Sequence, residues 1–240
     1  MGLFRQRGKR EQAPPCAVVV VAAGSSTRMG QDKMMLELAG KPVVLHALQA
    51  FQDVPEVSEI IVVTRGELVA EIPRLCREYG LDKVKTVIRG GASRTQSARL
   101  GTLEVSRDAE LIAIHDGARP FVTVPVIREA IQAAARTGAA APAIPVKDTI
   151  KVAQNGVVTQ TLDRATLFAV QTPQVFEASL IRAALQKALE DDAELTDDCA
   201  AVERLGMGVT LTQGDERNLK LTTPADLIWG EALLEGAQDL

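Results

Sequence analysis

Chemistry in this chain is most legible where Val18-Val19-Val20-Val21 runs into Ala22-Ala23-Gly24-Ser25-Ser26, followed by Arg28 and Lys33. The apolar run has the length and β-branched composition of a buried strand. The small residues after it let an anion come close to the main chain, where successive N–H groups form an anion-binding nest. Arg28 and Lys33 bring two cations to the same place, and the combination asks for a nucleoside triphosphate. The loop matches neither glycine fingerprint. Ser26 and Met29 stand where the dinucleotide pattern needs glycine, and no Gly-Lys-Ser/Thr closes a P-loop.

A second set of polar segments lies downstream. In order they are Gly90-Gly91-Ala92-Ser93-Arg94-Thr95-Gln96-Ser97, His115-Asp116-Gly117-Ala118-Arg119-Pro120, Lys147-Asp148-Thr149, Asp163-Arg164, Gln171-Thr172-Pro173-Gln174 and Asn218-Leu219-Lys220-Leu221-Thr222. Several follow short apolar runs, as ligand-binding loops do at the carboxyl ends of strands in an open α/β sheet.

The elements that must position these segments alternate. Strand-like runs at 59–64, 83–88, 111–115 and 139–144 are separated by helical patterns at 42–51, 67–79, 94–104 and 123–136. Pro42 and Pro125 suit first turns, Thr123 suits a cap, and Gly80 and Gly138 suit helix ends. Such alternation predicts a mostly parallel sheet with right-handed crossovers. The rhythm breaks at 149–162, where two alternating runs flank Asn155-Gly156, the strongest short signal for a two-residue hairpin. A lone ribbon is marginal in water, so this arm is expected to pack on a second subunit. Helices at 178–189 and 197–205, a strand at 208–212 and a helix opening at Pro224 with Thr223 as cap complete the chain.

Composition excludes several classes. At 46% hydrophobic and 24% charged, the 240 residues suit one globular domain. Aromatics at 3% leave little to stack bases on, and the 23 basic and 30 acidic side chains beyond residue 13 give that part a net −7. Neither feature suits a nucleic-acid binder. No run is long enough to span a bilayer. The basic head of Arg5, Arg7, Lys9 and Arg10 is interrupted by Glu11, Pro14 and Pro15, so residues 1–15 read as a disordered leader and not a signal peptide. Cys16, Cys76 and Cys199 are odd in number and far apart, the pattern of buried thiols in a reducing cytoplasm.

Together and in this order, the loop and the downstream segments resemble the 2-C-methyl-D-erythritol 4-phosphate cytidylyltransferases, over about residues 16–235. The resemblance implies a single Rossmann-like nucleotidyltransferase domain over 16–236, with 147–165 as an inserted β-arm that makes a homodimer. It implies transfer of CMP from CTP to 2-C-methyl-D-erythritol 4-phosphate, in the non-mevalonate route to isoprenoid precursors, with Mg²⁺ held chiefly by the CTP phosphates. By position, Arg28 and Lys33 match the pair that stabilises the α-phosphate and leaving pyrophosphate, and Arg164 and Lys220 the pair that positions the acceptor. Arg119, Thr149, Thr172, Asp116 and Thr196 match further acceptor contacts, Asp116 standing where ribose, metal and acceptor meet. Ala22, Ala23, Gly24, Gly91 and Ser97 match the cytidine pocket. The chain departs from the family pattern at Asp32, Met34 and Ala92, where Pro, Gln and Asp are common. A cytidylyltransferase for another polyol phosphate, such as ribitol 5-phosphate, and a catalytically idle nucleotide-binding protein on the same fold are the alternatives.

Overall fold

A computed structural model describes residues 13–24 and 33–236. Residues 1–12 of the leader, the 25–32 stretch with Arg28 and Asp32, and residues 237–240 lie outside the described residues.

The elements run β1 (Cys16–Ala22), β2 (Glu37–Leu38), β3 (Lys41–Pro42), α1 (Val43–Gln52), β4 (Val57–Thr64), α2 (Glu71–Glu78), β5 (Val84–Arg89) and α3 (Arg94–Glu104). They continue as β6 (Leu111–Asp116), α4 (Val124–Thr137), β7 (Ala139–Pro145), β8 (Lys151–Gln154), β9 (Val157–Thr161), β10 (Phe168–Val170) and β11 (Gln174–Glu177). Last come α5 (Ala178–Glu190), α6 (Asp198–Arg204), β12 (Thr210–Gln213) and α7 (Pro224–Gly236).

The main sheet runs β5-β4-β1-β6-β11-β7-β12. Strands β5, β4, β1 and β6 pair in parallel, and β12 is parallel to β7. Because β11 is antiparallel to both β6 and β7, those two point the same way. Six strands therefore share one direction and deliver their carboxyl ends to one edge. β10 continues the edge of β7 beyond β11, pairing Phe168–Val170 with Ala143–Pro145.

Both faces of the sheet are covered, which explains why β1 reads as continuous apolar sequence. Cys16, Val18 and Val20 point into a core closed by α1, α2 and α4, through residues such as Leu48, Phe51, Ile72 and Ile127. Ala17 and Val19 point to the other side, against α3, α5 and α6. A third cluster of Leu38, Val43, Phe121 and Leu221 seats α7. Near Gly101 of α3 the helix lies so close to the sheet that an added Cβ would sit 2.3 Å from Val19 Cγ1 and 2.8 Å from Val63 Cγ2.

Several expectations are corrected. The helix expected over 67–79 is a short 3₁₀ turn at Gly66–Leu68 followed by α2. Pro73 tolerates only a first-turn position, so the α-helix begins at Glu71. Strands β10 and β11 were not expected. Thr123 makes no side-chain cap bond. At the start of α7, Asp226 Oδ2 accepts the N–H groups of Thr222 and Thr223, reaching back to the position before Pro224 that the sequence assigns to the cap. The hairpin matches its sequence signal: Asn155 and Gly156 have φ of 51° and 80°, as a type I′ turn requires.

Replacing Gly101 by Ala should destabilise the protein by about 1–3 kcal/mol, because overpacking outweighs the gain in helix propensity. Urea unfolding measures it. A more stable variant would contradict the close helix–sheet approach.

Candidate active site

The carboxyl ends of β1, β5 and β6 converge on a cavity of about 360 Å³. Its wall comes from Ala22, Ala23 and Gly24 at the end of β1 and from Gly91 and Ser97 beyond β5. Its charged part consists of Lys33, Arg94, Asp116 and Lys220.

The Gly90–Ser97 turn is closed by its own side chains. Ser93 caps α3, its Oγ accepting the Gln96 N–H at 3.0 Å. Ser97 Oγ donates to Ser93 O at 2.9 Å and accepts the Gly91 N–H at 3.1 Å. Gln96 Oε1 accepts the Ala92 N–H at 2.7 Å. Gly90 is needed here: an added Cβ would lie 2.5 Å from Ala23 Cβ and 2.8 Å from Ser97 Oγ. The two small-residue loops thus touch and form one wall.

Asp116, the last residue of β6, is the focus of the polar network. Lys220 Nζ lies 2.6 Å from its Oδ2, and Arg94 donates to Oδ1 from Nη2 at 3.1 Å and from Nε at 3.3 Å. Arg94 Nη2 also reaches Asp198 Oδ2 at 2.7 Å. Burial alone would raise the Asp116 carboxyl, but Arg94 and Lys220 outweigh burial and hold it well below the usual carboxylate range. Burial disfavours the charged Arg94, yet Asp198 and Asp116 outweigh this and raise its guanidinium, which stays protonated. Burial pushes Asp198 up despite Arg94.

The backbone of this corner is fixed by the Gln171–Gln174 segment, which contains a cis Thr172–Pro173 bond. Thr172 Oγ1 accepts the Asp116 N–H at 3.1 Å and lies 3.0 Å from His115 Nδ1. His115 Nε2 faces Arg119 O at 3.1 Å and so carries the ring proton, donating to that carbonyl. Burial pushes the imidazole down to about 4, so it is neutral at ordinary pH and its Nδ1 accepts the Thr172 hydroxyl. Asn218 Nδ2 donates to Thr172 O at 3.0 Å and Gln171 Oε1 at 3.2 Å, while Arg119 Nη1 donates to Asn218 O at 2.6 Å. Leu221 N–H donates to Ala118 O at 2.8 Å. Lys220 is thereby held beside Asp116, and Lys33 Nζ donates to Leu221 O at 3.3 Å from across the cavity.

Of the residues named from sequence, Ala22, Ala23, Gly24, Lys33, Gly91, Ser97, Asp116 and Lys220 line the cavity. Thr172 and Arg119 stand behind it, in the bonds just described. Thr149 and Arg164 are exposed at the base of the arm, away from the cavity, with Arg164 Nη1 donating to Lys147 O at 2.9 Å. Asp163 accepts the Ala165 N–H, so its local role is a turn and not an ion pair with Arg164. Thr196 is exposed, and α6 is capped by Asp197, whose Oδ1 accepts the Ala200 N–H. Arg28 lies outside the described residues. Met34 is buried at the cavity edge, against Gly117. Sequence reasoning assigned no role to Arg94, Asp198, Gln174 or Asn218. Three of them stand inside segments already singled out, whereas only the fold brings Asp198 to Arg94.

The family model for 2-C-methyl-D-erythritol 4-phosphate cytidylyltransferase matches residues 16–236. The enzyme of that name from Caldanaerobacter subterraneus subsp. tengcongensis is 46% identical over 226 residues, spanning 91% of this chain and 98% of the relative. Its counterpart from Halalkalibacterium halodurans is 42% identical over 220 residues, spanning 91% and 96%. Among solved structures, 4-diphosphocytidyl-2C-methyl-D-erythritol synthase from Anaerococcus prevotii superposes with a TM-score of 0.83 at 28% identity, covering 92% of this chain and 96% of that one. The cytidylyltransferase from Thermus thermophilus gives 0.76 at 32% identity, covering 90% and 98%.

His115 makes stability depend on pH. Its value in the folded protein is about 4, against an ordinary 6.5, so the unfolded chain binds the extra proton between these limits. Stability from this group is complete above pH 6.5 and falls, by on the order of 3 kcal/mol, as pH drops towards 4. Denaturant titrations of the protein and of His115→Gln across that window should show this part of the slope lost in the variant. An unchanged slope would mean that the imidazole is not buried neutral.

Proposed function

The chain belongs to the 2-C-methyl-D-erythritol 4-phosphate cytidylyltransferase family, and from that premise we propose how its cavity performs the transfer. The enzyme moves CMP from CTP to 2-C-methyl-D-erythritol 4-phosphate, releasing pyrophosphate and giving 4-diphosphocytidyl-2-C-methyl-D-erythritol for isoprenoid synthesis. A phosphate oxygen of the acceptor attacks the α-phosphorus of CTP as the bond to the β-phosphate oxygen breaks. With a second pKa of about 6 the acceptor phosphate is already anionic, so no general base is needed. Repulsion between two anions is the obstacle, and positioned cations relieve it.

The observation that carries this reading is the meeting of Lys33, Lys220 and Asp116 in one cavity, beside a wall of side chains too small to obstruct a nucleotide. Ala22, Ala23, Gly24, Gly91 and Ser97 shape the cytidine end. Lys33, with Arg28 shortly before it in sequence, neutralises the charge that grows on the α-phosphate and pyrophosphate. Lys220 orients the acceptor phosphate. Thr172 and Arg119 support it from behind by fixing the main chain at Asp116 and Asn218.

Mg²⁺ fits this donor set as an ion shared with the substrate. Asp116 is a hard oxygen donor at the cavity, and among the described residues no cluster of three His, Cys, Asp or Glu is arranged to hold a metal alone. When bound, it would neutralise triphosphate charge, with Asp116 as its protein contact.

The arm carries the second half of the acceptor site. Among the described residues β8 and β9 pair only with each other, and the arm exposes Val157 and Val158 at 68% and 55%. Phe168 and Val170 are also exposed nearby in the chain. A second copy covering these residues would form a homodimer and deliver Arg164 and Thr149 to the partner's cavity, with Thr196 at its margin. No helix of the described residues is long and apolar enough to cross a membrane. The cytoplasm suits three free, buried thiols and two phosphorylated substrates.

Two outcomes follow. Lys33→Ala should lower kcat by roughly 10²–10³-fold, the scale of losing one preorganised transition-state donor. Near-normal turnover would remove Lys33 from that role. Arg164→Ala should reduce kcat/KM for the acceptor by roughly 10- to 100-fold with CTP affinity retained, the cost of one charge-assisted contact. Val157→Glu with Val158→Glu should reproduce that loss and sediment as a monomer. Equal loss of CTP affinity in Arg164→Ala, or a fully active monomer, would contradict the shared site.

A further inference from the structure

Among the described residues the buried acids are Asp116 and Asp198, and one guanidinium bridges them. Asp116 lines the cavity, whereas Asp198 does not and its side chain is 1% exposed. Taking a carboxylate out of water costs several kcal/mol, and apolar residues of similar size commonly serve stability as well or better. Yet the protein fixes Asp198 with care. Gln174 Oε1 accepts the N–H groups of Asp198 and Cys199 at 2.9 and 3.0 Å, and Gln174 Nε2 donates to Asp197 Oδ2 at 2.8 Å. The carboxylate so held takes Arg94 Nη2 at 2.7 Å, a shorter contact than the 3.1 Å from the same nitrogen to Asp116.

The two carboxylates of this ion-paired cluster, Asp116 and Asp198, are opposed by Arg94 and Lys220, so the cluster itself is neutral, and Lys33 is a further cation at the cavity that a polyanion and its metal must enter.

We propose that Asp198 is a positioning residue for the transfer: by sharing Arg94 with Asp116, at the shorter of the two contacts, it draws that cation back and limits its hold on the Asp116 carboxylate, which can then exchange partners on the ligand side of the cavity. The inference rests on the reading of Asp116 given above. Without the Asp198 charge the cluster carries an extra positive charge and Arg94 closes on Asp116. The cavity then favours the nucleotide and disfavours the metal. Without Arg94 the imbalance reverses. Removal of both restores neutrality and leaves no unpaired buried charge.

The test compares Asp198→Asn, Arg94→Met, the double variant and Asp116→Asn in the full-length protein. Calorimetry gives the dissociation constant for CTP without metal, turnover gives the Mg²⁺ concentration for half-activation, and thermal melting reports folding. Asp198→Asn should raise the Mg²⁺ requirement by roughly three- to tenfold while CTP binds equally or more tightly, the scale of one unit charge nearby in a wet pocket. Arg94→Met should shift both in the opposite sense, and the double variant should return both to within about threefold of the parent.

Parallel weakening of CTP and Mg²⁺ in Asp198→Asn, or a double variant as impaired as the worse single one, would reduce Asp198 to a structural tie and overturn the proposal. If either single variant fails to fold, the double variant decides by the same criterion. Asp116→Asn separates the two layers of the argument. If it leaves the Mg²⁺ requirement unchanged, the reading of Asp116 itself fails. If it raises that requirement while Asp198→Asn does not, only the role of Asp198 fails.

Discussion

A carboxylate at the end of a buried central strand constrains the rest of this site. Asp116 is 8% exposed, and a charge so placed persists only with close cations and a fixed main chain. The fold supplies both from distant parts of the chain: Arg94 from the start of α3, Lys220 from the loop before α7 and Thr172 from the segment joining β10 to β11. The same cations that stabilise Asp116 are those an incoming phosphate would seek. A ligand therefore enters a set of charges already paired, and its binding exchanges partners instead of exposing bare charge.

This arrangement suits a reaction whose nucleophile arrives ionised. Among the described residues the cavity lining holds no histidine, and the nearby His115 is used differently. His115 is fully buried, neutral and bonded on both nitrogens, with its ring edge-on to Phe51 at 4.9 Å. It is a spacer that fixes Arg119 O and Thr172 Oγ1 on either side of β6. In the proposed transfer, chemistry is left to charge placement, and specificity to the small-residue wall and the arm.

Much of this was legible in the sequence because it is local. The strand-and-loop of residues 18–24, the Asn155-Gly156 turn and the β/α alternation each follow from neighbouring residues, and the structure bears them out. Gly138 ends α4 in the left-handed conformation that its position suggested. What escaped is non-local. β11 is four residues long and follows a proline, yet it lies between β6 and β7 because it completes two ladders far away in sequence. Arg94 and Asp198 are 104 residues apart, and their bond exists only because α3 and α6 lie on the same face of the sheet. Arg164 shows the converse: a segment can be recognised by sequence while its own chain leaves it exposed and outside the cavity lining.

The central claim is that this one cavity brings two phosphate-bearing anions together by means of placed cations. A crystal structure of the ternary complex with a non-transferable CTP analogue and the acceptor tests it most directly. The account predicts an acceptor phosphate oxygen within about 3.5 Å of the α-phosphorus, in line with the leaving oxygen. It also predicts Lys33 Nζ on the triphosphate and Lys220 Nζ turned from Asp116 towards the acceptor phosphate. An acceptor bound outside the cavity, with Lys220 still paired to Asp116 alone, would contradict it.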